Sequence, residues 1–596
     1  TSDPNDLSET ATSAGLTTLL AATDATGLTA TLEAQSDITV FAPTNDAFAA
    51  LLTALDVSDL NGLINLLGES RVADILQYHV VASSAFAADL QDGQTLNTLA
   101  GQTLTVNVAS DGGVSISDVS GNTFNVVTAD VEISNGVVHV IDGVLISTPT
   151  VADVAVANGL TTLLEALEIA GLTQALLDQT TMTVFAPTNA AFESLLNAIG
   201  QGELEDIPVD VLTRVLQYHV VSGSALLSTN LNDGDTAPTL LQENVTVNIS
   251  GTNVSIDNSN VTTADVAITN GVVHVLDAVL VPSLEASIVN TVVEPAYFNK
   301  DFSTLTAAVV KAELLNTLID GQANLTVFAP NNAAFEAAGI TSLDNLSKED
   351  LTPILQYHVL GSEVKEANLP ATGSAVSTLN GDFYLSINNE GVFINGSTEV
   401  IATDIDQDNG VVHVIDKTLI PADQDVVEIA VAMSEMTEGA EFGQLVAALT
   451  AVENDMNAPD LITVLKGNGP FTVFAPTDAA FQTLYDAVPD SDQDGDNDIT
   501  DLVAAVPDGL NTIAVVLQYH VFNGRVFSTD IPNLLDGNTS VSITPVAGGN
   551  WTLNSNLTIT PTDAALGLEL DDAEIVGTDV LGTNGVIHVI DQVILP

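Results

Sequence analysis

Apolar residues recur at helical spacing along VADVAVANGLTTLLEALEIAGLTQALL, which begins at Val151 and is punctuated by Gly159 and Gly171. This pattern predicts a set of short helices. The β-branched and aromatic run Met182–Phe185 then predicts a strand that ends at Pro187. Thr188 stands where an N-cap is needed, and Phe192, Leu195 and Leu196 share one face of the helix behind it. VLTRVLQYHVV predicts a helix passing into a strand at Gln217–Val220. Short alternating segments, VTVNIS and NVSIDN, follow between Asn, Gly and Asp turns and read as hairpins. Asn270-Gly271 predicts a tight turn into a last strand that closes at Pro282. A helical first half and a strand-rich second half predict an α+β domain, with short helices covering a mostly antiparallel β-sandwich or wedge.

The same order of elements occurs four times. TVFAP modules begin at Thr39, Thr326 and Thr472 as well as at Thr183, and Asn331 takes the capping place of the threonine in the third. QYHV recurs around His79, His219, His358 and His520, which are 140, 139 and 162 residues apart. NGVVHV recurs around His139, His274 and His413, and NGVIHV around His588. So long a period marks whole domains rather than solenoid repeats. The expected spans are 1–148, 149–283, 284–422 and 423–596, with short linkers near 147–150, 282–284 and 421–425 that predict a semi-rigid, elongated array.

TVFAPTN-x-AF, a YH pair and NGVVHVID before a closing proline, in this order and in all four units, resemble the fasciclin domain family. The resemblance covers nearly the whole chain. It implies a compact β-wedge with helices and a bacterial-like secreted or cell-surface protein. The implied role is adhesion to cells, to matrix or to further copies of itself.

Charge narrows the partners. Seventy-eight acids against nine bases give a formal net charge of −69. Such a surface repels nucleic acid and anionic lipid and attracts divalent cations. Five of the nine bases, Lys300, Lys311, Lys348, Lys365 and Lys417, fall in the third unit. The absence of cysteine excludes disulfides, zinc–thiolate sites and thiol nucleophiles. No run of ~18 apolar residues predicts a membrane span. The first residues, TSDPNDLSET, have no basic or apolar leader and read as a mature terminus or the start of an internal segment.

All eight histidines, His79, His139, His219, His274, His358, His413, His520 and His588, lie in the two recurring strings, one pair per unit. Two imidazoles do not complete a metal shell. Asp142, Asp277, Asp416 and Asp591, three residues beyond the second histidines, fall on the opposite strand face. The histidines are therefore expected to be architectural, buried and hydrogen-bonded. No G-x-S-x-G, Walker-type or H-E-x-x-H motif occurs, and with one tryptophan, Trp551, a sugar-stacking cleft is disfavoured. A hydrolase or small-ligand binder is the least supported class.

DSDQDGDNDITD at Asp490–Asp501 has the order of a calcium loop. Asp490, Asp492 and Asp494 take positions one, three and five, and Gly495 takes the turn. Asp496 offers a carbonyl at seven, and Asp498 and Asp501 take nine and twelve. An aspartate in place of the bidentate glutamate predicts calcium binding near ~10⁻⁴ M. The loop lies in the longest gap between the TVFAP helix and QYHV, so it is an insertion of the fourth unit. DIDQDNG at 404–410 lacks the later ligands and reads as a polar turn. Asp130, Asp265, Asp404 and Asp579, each followed by a β-branched residue before the NG turn, match the place of an Asp-Ile pair associated with cell contact in animal members of the family. A structural aspartate at a strand end is the preferred reading of these four positions, with partner contact as the alternative, and integrin binding is not expected.

Two functional readings follow. One is an extracellular adhesin or surface scaffold whose partners are other cell-surface or matrix proteins or itself. The other is a protomer of a surface filament or an accessory subunit of a surface complex, since unlike ends permit head-to-tail growth into an open filament.

Overall fold

A computed structural model of the chain describes residues 6–55, 57–119, 121–147, 150–436, 441–455, 458–491, 493, 495–561 and 570–596. It holds four seven-stranded sheets in two compact units, Thr1–Ala286 and Ser287–Pro596, with two sheets in each. Each repeat is a mixed α+β domain in which helices precede and pack against a folded sheet.

Domain one shows the plan. Three short helices, α1 (Leu7–Ser13), α2 (Thr17–Ala25) and α3 (Thr29–Glu33), lead into strand β1 (Ile38–Pro43). Every residue of β1 is buried, as expected of a strand covered on both faces. Thr44 caps α4 (Asn45–Ala54) by accepting from the Ala47 N–H at 3.1 Å, and Thr188, Asn331 and Thr477 do the same for Ala191, Ala334 and Ala480. Helices α5 (Leu60–Leu67) and α6 (Glu69–Tyr78) follow, and α6 ends one residue before β2 (Val80–Val81). The rest is strand: β3 (Thr95–Asn97), β4 (Thr103–Val108), β5 (Val114–Ser117), β6 (Thr123–Ile133) and β7 (Gly136–Ile141).

The sheet order is β2-β1-β7-β6-β5-β4-β3. Only β1 and β7 pair in parallel, from Ile38 opposite Gly136 to Pro43 opposite Ile141, and the remaining pairs are antiparallel. Register shifts between Val126 and Thr128 and between Thr128 and Val131 bend β6, so one long strand serves both halves of a wedge. The interior of the wedge is apolar, with Phe41, Tyr78, Leu104, Val106, Ile116, Ile141 and Leu145 at its centre. Among the described residues no single helix is long and apolar enough to cross a membrane.

The NG turn holds more together than a hairpin. The Asn135 amide donates to the carbonyls of Leu32 at 2.8 Å and Gln35 at 3.0 Å, which pins the end of α3 to the start of β7. Asn270, Asn409 and Asn584 make the matching bonds to Leu176, Leu318 and Leu465. The glycine is required by approach as well as by the turn. A Cβ on Gly271 would stand 1.8 Å from the Met182 carbonyl oxygen, and one on Gly136 would stand 1.9 Å from that of Ile38.

Within the first unit, Arg71 on α6 joins the two domains. Its guanidinium pairs with Asp153 at 2.6 Å and donates to Ser147 at 2.7 Å, and it is almost wholly buried. Arg214 makes a similar bond from its QYHV helix, at 2.7 Å to the buried Glu285 on the helix that leaves domain two.

Gly271→Ala is expected to destabilise domain two by about 2–3 kcal/mol, because the new methyl group must displace a strand backbone. Urea unfolding of the intact chain reads this as an earlier transition for one domain out of four.

Candidate functional sites

QYHV stands at the end of the helix that joins the two halves of each domain. The tyrosine reaches the strand-rich half: the Tyr78 hydroxyl donates to the Thr103 carbonyl at 2.9 Å, and Tyr218, Tyr357 and Tyr519 donate to Asn244, Asp382 and Asn550. The histidine caps the helix and faces the last segment of the domain. His79 Nε2 accepts from the Leu145 N–H at 2.9 Å, so the ring proton sits on Nδ1 and is donated to the Ile75 carbonyl at 2.8 Å. His219, His358 and His520 repeat this with Leu280 and Val215, with Leu419 and Ile354, and with Ile594 and Val516.

The second histidine of each pair has the opposite tautomer. His139 accepts at Nδ1 from the Asp130 N–H at 3.3 Å and donates from Nε2 to the Ala85 carbonyl at 2.8 Å, with its ring stacked on Phe41. His274, His413 and His588 are bound alike, through Asp265 and Leu226, Asp404 and Val364, and Asp579 and Val526. Both nitrogens of all eight rings are therefore held by backbone groups. No lone pair is left for a metal or a substrate proton.

The threonine of TVFAP completes this frame, and the sequence pattern alone did not single it out. Thr39 Oγ1 donates to the Ser83 carbonyl at 2.6 Å and accepts from the Ala85 N–H at 2.8 Å. Thr183, Thr326 and Thr472 make equivalent pairs.

Asp130, Asp265, Asp404 and Asp579 sit at the bend of the long strand with φ of 56°, 58°, 58° and 65°, in the left-handed region that aspartate tolerates better than most residues. Each carboxylate accepts from the first N–H of a short 3-10 turn: Ala87 and Ser228 at 2.7 Å, Glu366 and Ser528 at 2.8 Å. Asp130, Asp265 and Asp404 are exposed. The Asp579 side chain is only 2% exposed.

In the second unit, domain three covers that face of domain four. A Cβ on Gly396 would meet Asp579 at 2.6 Å and Phe527 at 2.7 Å. The Arg525 guanidinium lies 4.1 Å above the Tyr384 ring, and Tyr384 also packs on Phe527. Asn388 donates to the Thr529 carbonyl at 2.9 Å, and Asn533 donates to the Ile387 carbonyl at 2.6 Å. Burial in this contact raises the pKa of Asp530, opposed by the Phe527 N–H that its carboxylate accepts at 2.9 Å.

Of the six aspartates in the acidic loop, Asp492 and Asp494 lie outside the described residues. Asp490 accepts from the N–H groups of Gln493 at 2.6 Å and Gly495 at 3.2 Å. Asp498 caps the helix Ile499–Ala505 in a reciprocal box with Asp501. Asp501 is buried and accepts from Ser491 at both N–H and hydroxyl, while Asp496 is exposed. Beside them the buried Tyr485 hydroxyl has no hydrogen-bond partner among the described residues. Burial, with Asp498 and Asp478 nearby, pushes its pKa up. Among the described residues no three acidic or imidazole groups converge as a metal shell. In DIDQDNG the carboxylates have separate partners, Asp404 with Glu366 N–H and Asp406 with Lys365 at 2.7 Å.

Burial lowers the pKa of His79, His219, His358 and His520 to about 4. A folded pKa below the unfolded ~6.5 means that the unfolded chain binds the extra proton first. The stabilisation is complete above pH 6.5 and is lost as pH falls towards 4. Between pH 6.5 and 5, above most carboxylate titration, the loss is about 2 kcal/mol per domain. Thermal melting across that window is expected to show falling midpoints, and His219→Gln to remove the slope for domain two.

The sequence profile described as Fasciclin domain matches residues 14–147, 158–282, 300–421 and 444–596. The chain is 31% identical over 411 residues to transforming growth factor-beta-induced protein ig-h3 of Oryctolagus cuniculus, covering 68% of this chain and 56% of that protein. It is 26% identical over 596 residues to periostin of Homo sapiens, covering 98% of this chain and 62% of periostin. It thus spans about six-tenths of the length of these two relatives. Protein sll1483 of Synechocystis is 43% identical over 129 residues. With four matched repeats, each built on its own seven-stranded sheet, the chain belongs to the fasciclin domain family.

Proposed function

We propose that this chain is an extracellular adhesion or scaffold protein that works by several protein–protein contacts along one chain, rather than by catalysis. The observation that carries this reading is the contact between domains three and four. There the face around Asp579 and Ser528 receives a strand hairpin through a stacked arginine and side-chain-to-backbone hydrogen bonds. Domains one to three leave the equivalent aspartates exposed, with Ser84, Ala225 and Glu363 in the place of Arg525, and these faces are open for other cell-surface or matrix proteins, or for further copies of the chain. Several modest contacts on one chain add through avidity. The family membership and the relatives support the same reading.

Calcium is assigned to the 490–501 loop as a local brace. Asp490 folds back on Gly495, and Asp498 and Asp501 anchor the following helix, so the described ends of the loop are ordered by its own carboxylates. With a Kd near ~10⁻⁴ M, millimolar calcium stabilises domain four by about 1.4 kcal/mol. Scanning calorimetry is expected to show one of the transitions moving up in calcium and returning with chelator. Asp490→Asn is expected to abolish the shift, and a trace indifferent to calcium rejects the assignment.

Adhesion is tested with beads carrying the intact chain, on surfaces coated with matrix proteins or with the chain itself. Retention is expected to exceed that of uncoated beads and to fall severalfold when Asp130, Asp265 and Asp404 are all changed to Ala. Sedimentation velocity with and without calcium separates the filament reading: growth to large species favours a surface filament, and an unchanged small species favours foreign partners.

A further inference from the structure

A cavity occupies the same place in domains one, three and four, between the second and third helices of the domain and the end of the QYHV helix. Leu76 and Val80 line it in domain one, Leu355 and Val359 in domain three, and Leu517 and Val521 in domain four. Its volume rises from about 20 Å³ to about 70 Å³ and then to about 380 Å³. The connection between the two helices also differs in length. Three residues join Ser303–Lys311 to Leu315–Leu318 in domain three, and seven join Gly443–Glu453 to Leu461–Leu465 in domain four.

The first two cavities are packing voids. The third has the size of a ligand pocket. A dry cavity of about 150 Å³ holds benzene, so this one takes about a dozen heavy atoms. Its walls are mainly aliphatic, with Phe471 at one side, and its rim is open: Val464 is 54% exposed and Val546 is 40% exposed. Three polar side chains meet the rim, Asp460, Gln518 and Asn523. The Asp460 carboxylate accepts from the Thr463 N–H at 2.9 Å, and its bonds to the Thr463 backbone and hydroxyl hold it below the usual carboxylate range. An anionic head group entering here meets a fixed negative charge on a chain that already carries −69. A donor head group meets an acceptor.

We propose that the domain-four cavity binds a small apolar molecule of about a dozen heavy atoms whose polar end is a hydrogen-bond donor, an amine or an alcohol, and not a carboxylic acid. The site is independent of the adhesive faces, since none of its walls belongs to the contact with domain three described above.

The probe is 1-aminoanthracene, titrated by fluorescence into the intact chain in physiological salt. One saturable site per chain is expected, with decylamine and decanol displacing the probe at concentrations at least tenfold lower than decanoate. Val464→Trp fills the mouth from a half-exposed position and is expected to weaken binding at least tenfold at an unchanged melting midpoint. Val546→Trp, on another part of the rim, repeats the block if the first variant melts early. Thr317→Trp, the matching position in domain three, is expected to leave binding intact. Asp460→Asn keeps the helix cap and is expected to bring amine and acid within about threefold of each other. Absence of saturable binding, binding that survives both tryptophans, or loss with Thr317→Trp overturns the site. An amine-to-acid ratio unchanged by Asp460→Asn overturns the assignment of the head group.

Discussion

The helix that ends in QYHV is the hinge pin of each domain, and the hydrogen bonds of its tyrosine and histidine hold the two halves to it. Tyr78 reaches Thr103 across the wedge, and His79 holds Leu145, close to the last residue of the domain. A neutral imidazole suits this place because it can give and receive at once. Each bond is modest, but those of His79 are fully buried, and a buried polar group left unpaired costs more than the bond contributes. The same logic explains why the ring must be neutral, and hence why acid works against the fold. The second histidine adds a brace between the bent strand and the loop after QYHV, stacked on the phenylalanine of TVFAP.

Much of this was legible in the sequence because it is local or repeated. The capping threonines, the NG turns and the helix-to-strand passage at QYHV are signals within a few residues, and the structure has them where the pattern put them. The fourfold period announced four domains before any element was placed. What stayed hidden depends on distance. Nothing in TVFAP says that its threonine will bridge Ser83 and Ala85, and nothing in NG says that its asparagine will hold the end of the third helix. The contact between domains three and four rests on Tyr384 and Arg525, 141 residues apart and present once each, so repetition gave no hint of it. Asp579 differs from its three counterparts only in what covers it.

Composition was informative in an unexpected way. Nine bases among 78 acids read as a surface property, with five lysines setting domain three apart. The three arginines tell a different story. Arg71 joins domains one and two, Arg214 grips the helix leaving domain two, and Arg525 lies between domains four and three. A planar donor fork suits such places, where one side chain must satisfy several acceptors from separate elements. In a chain so poor in cations, arginine is spent on junctions.

That economy has a consequence for resistance to proteolysis. The first 299 residues contain no lysine, and their two arginines lie on helices with their guanidiniums engaged. A protease that cuts after basic residues needs an extended, accessible segment around such a side chain, and here it meets folded helix at both positions. Half of the chain therefore withstands trypsin-like digestion for as long as it stays folded, without a disulfide to protect it.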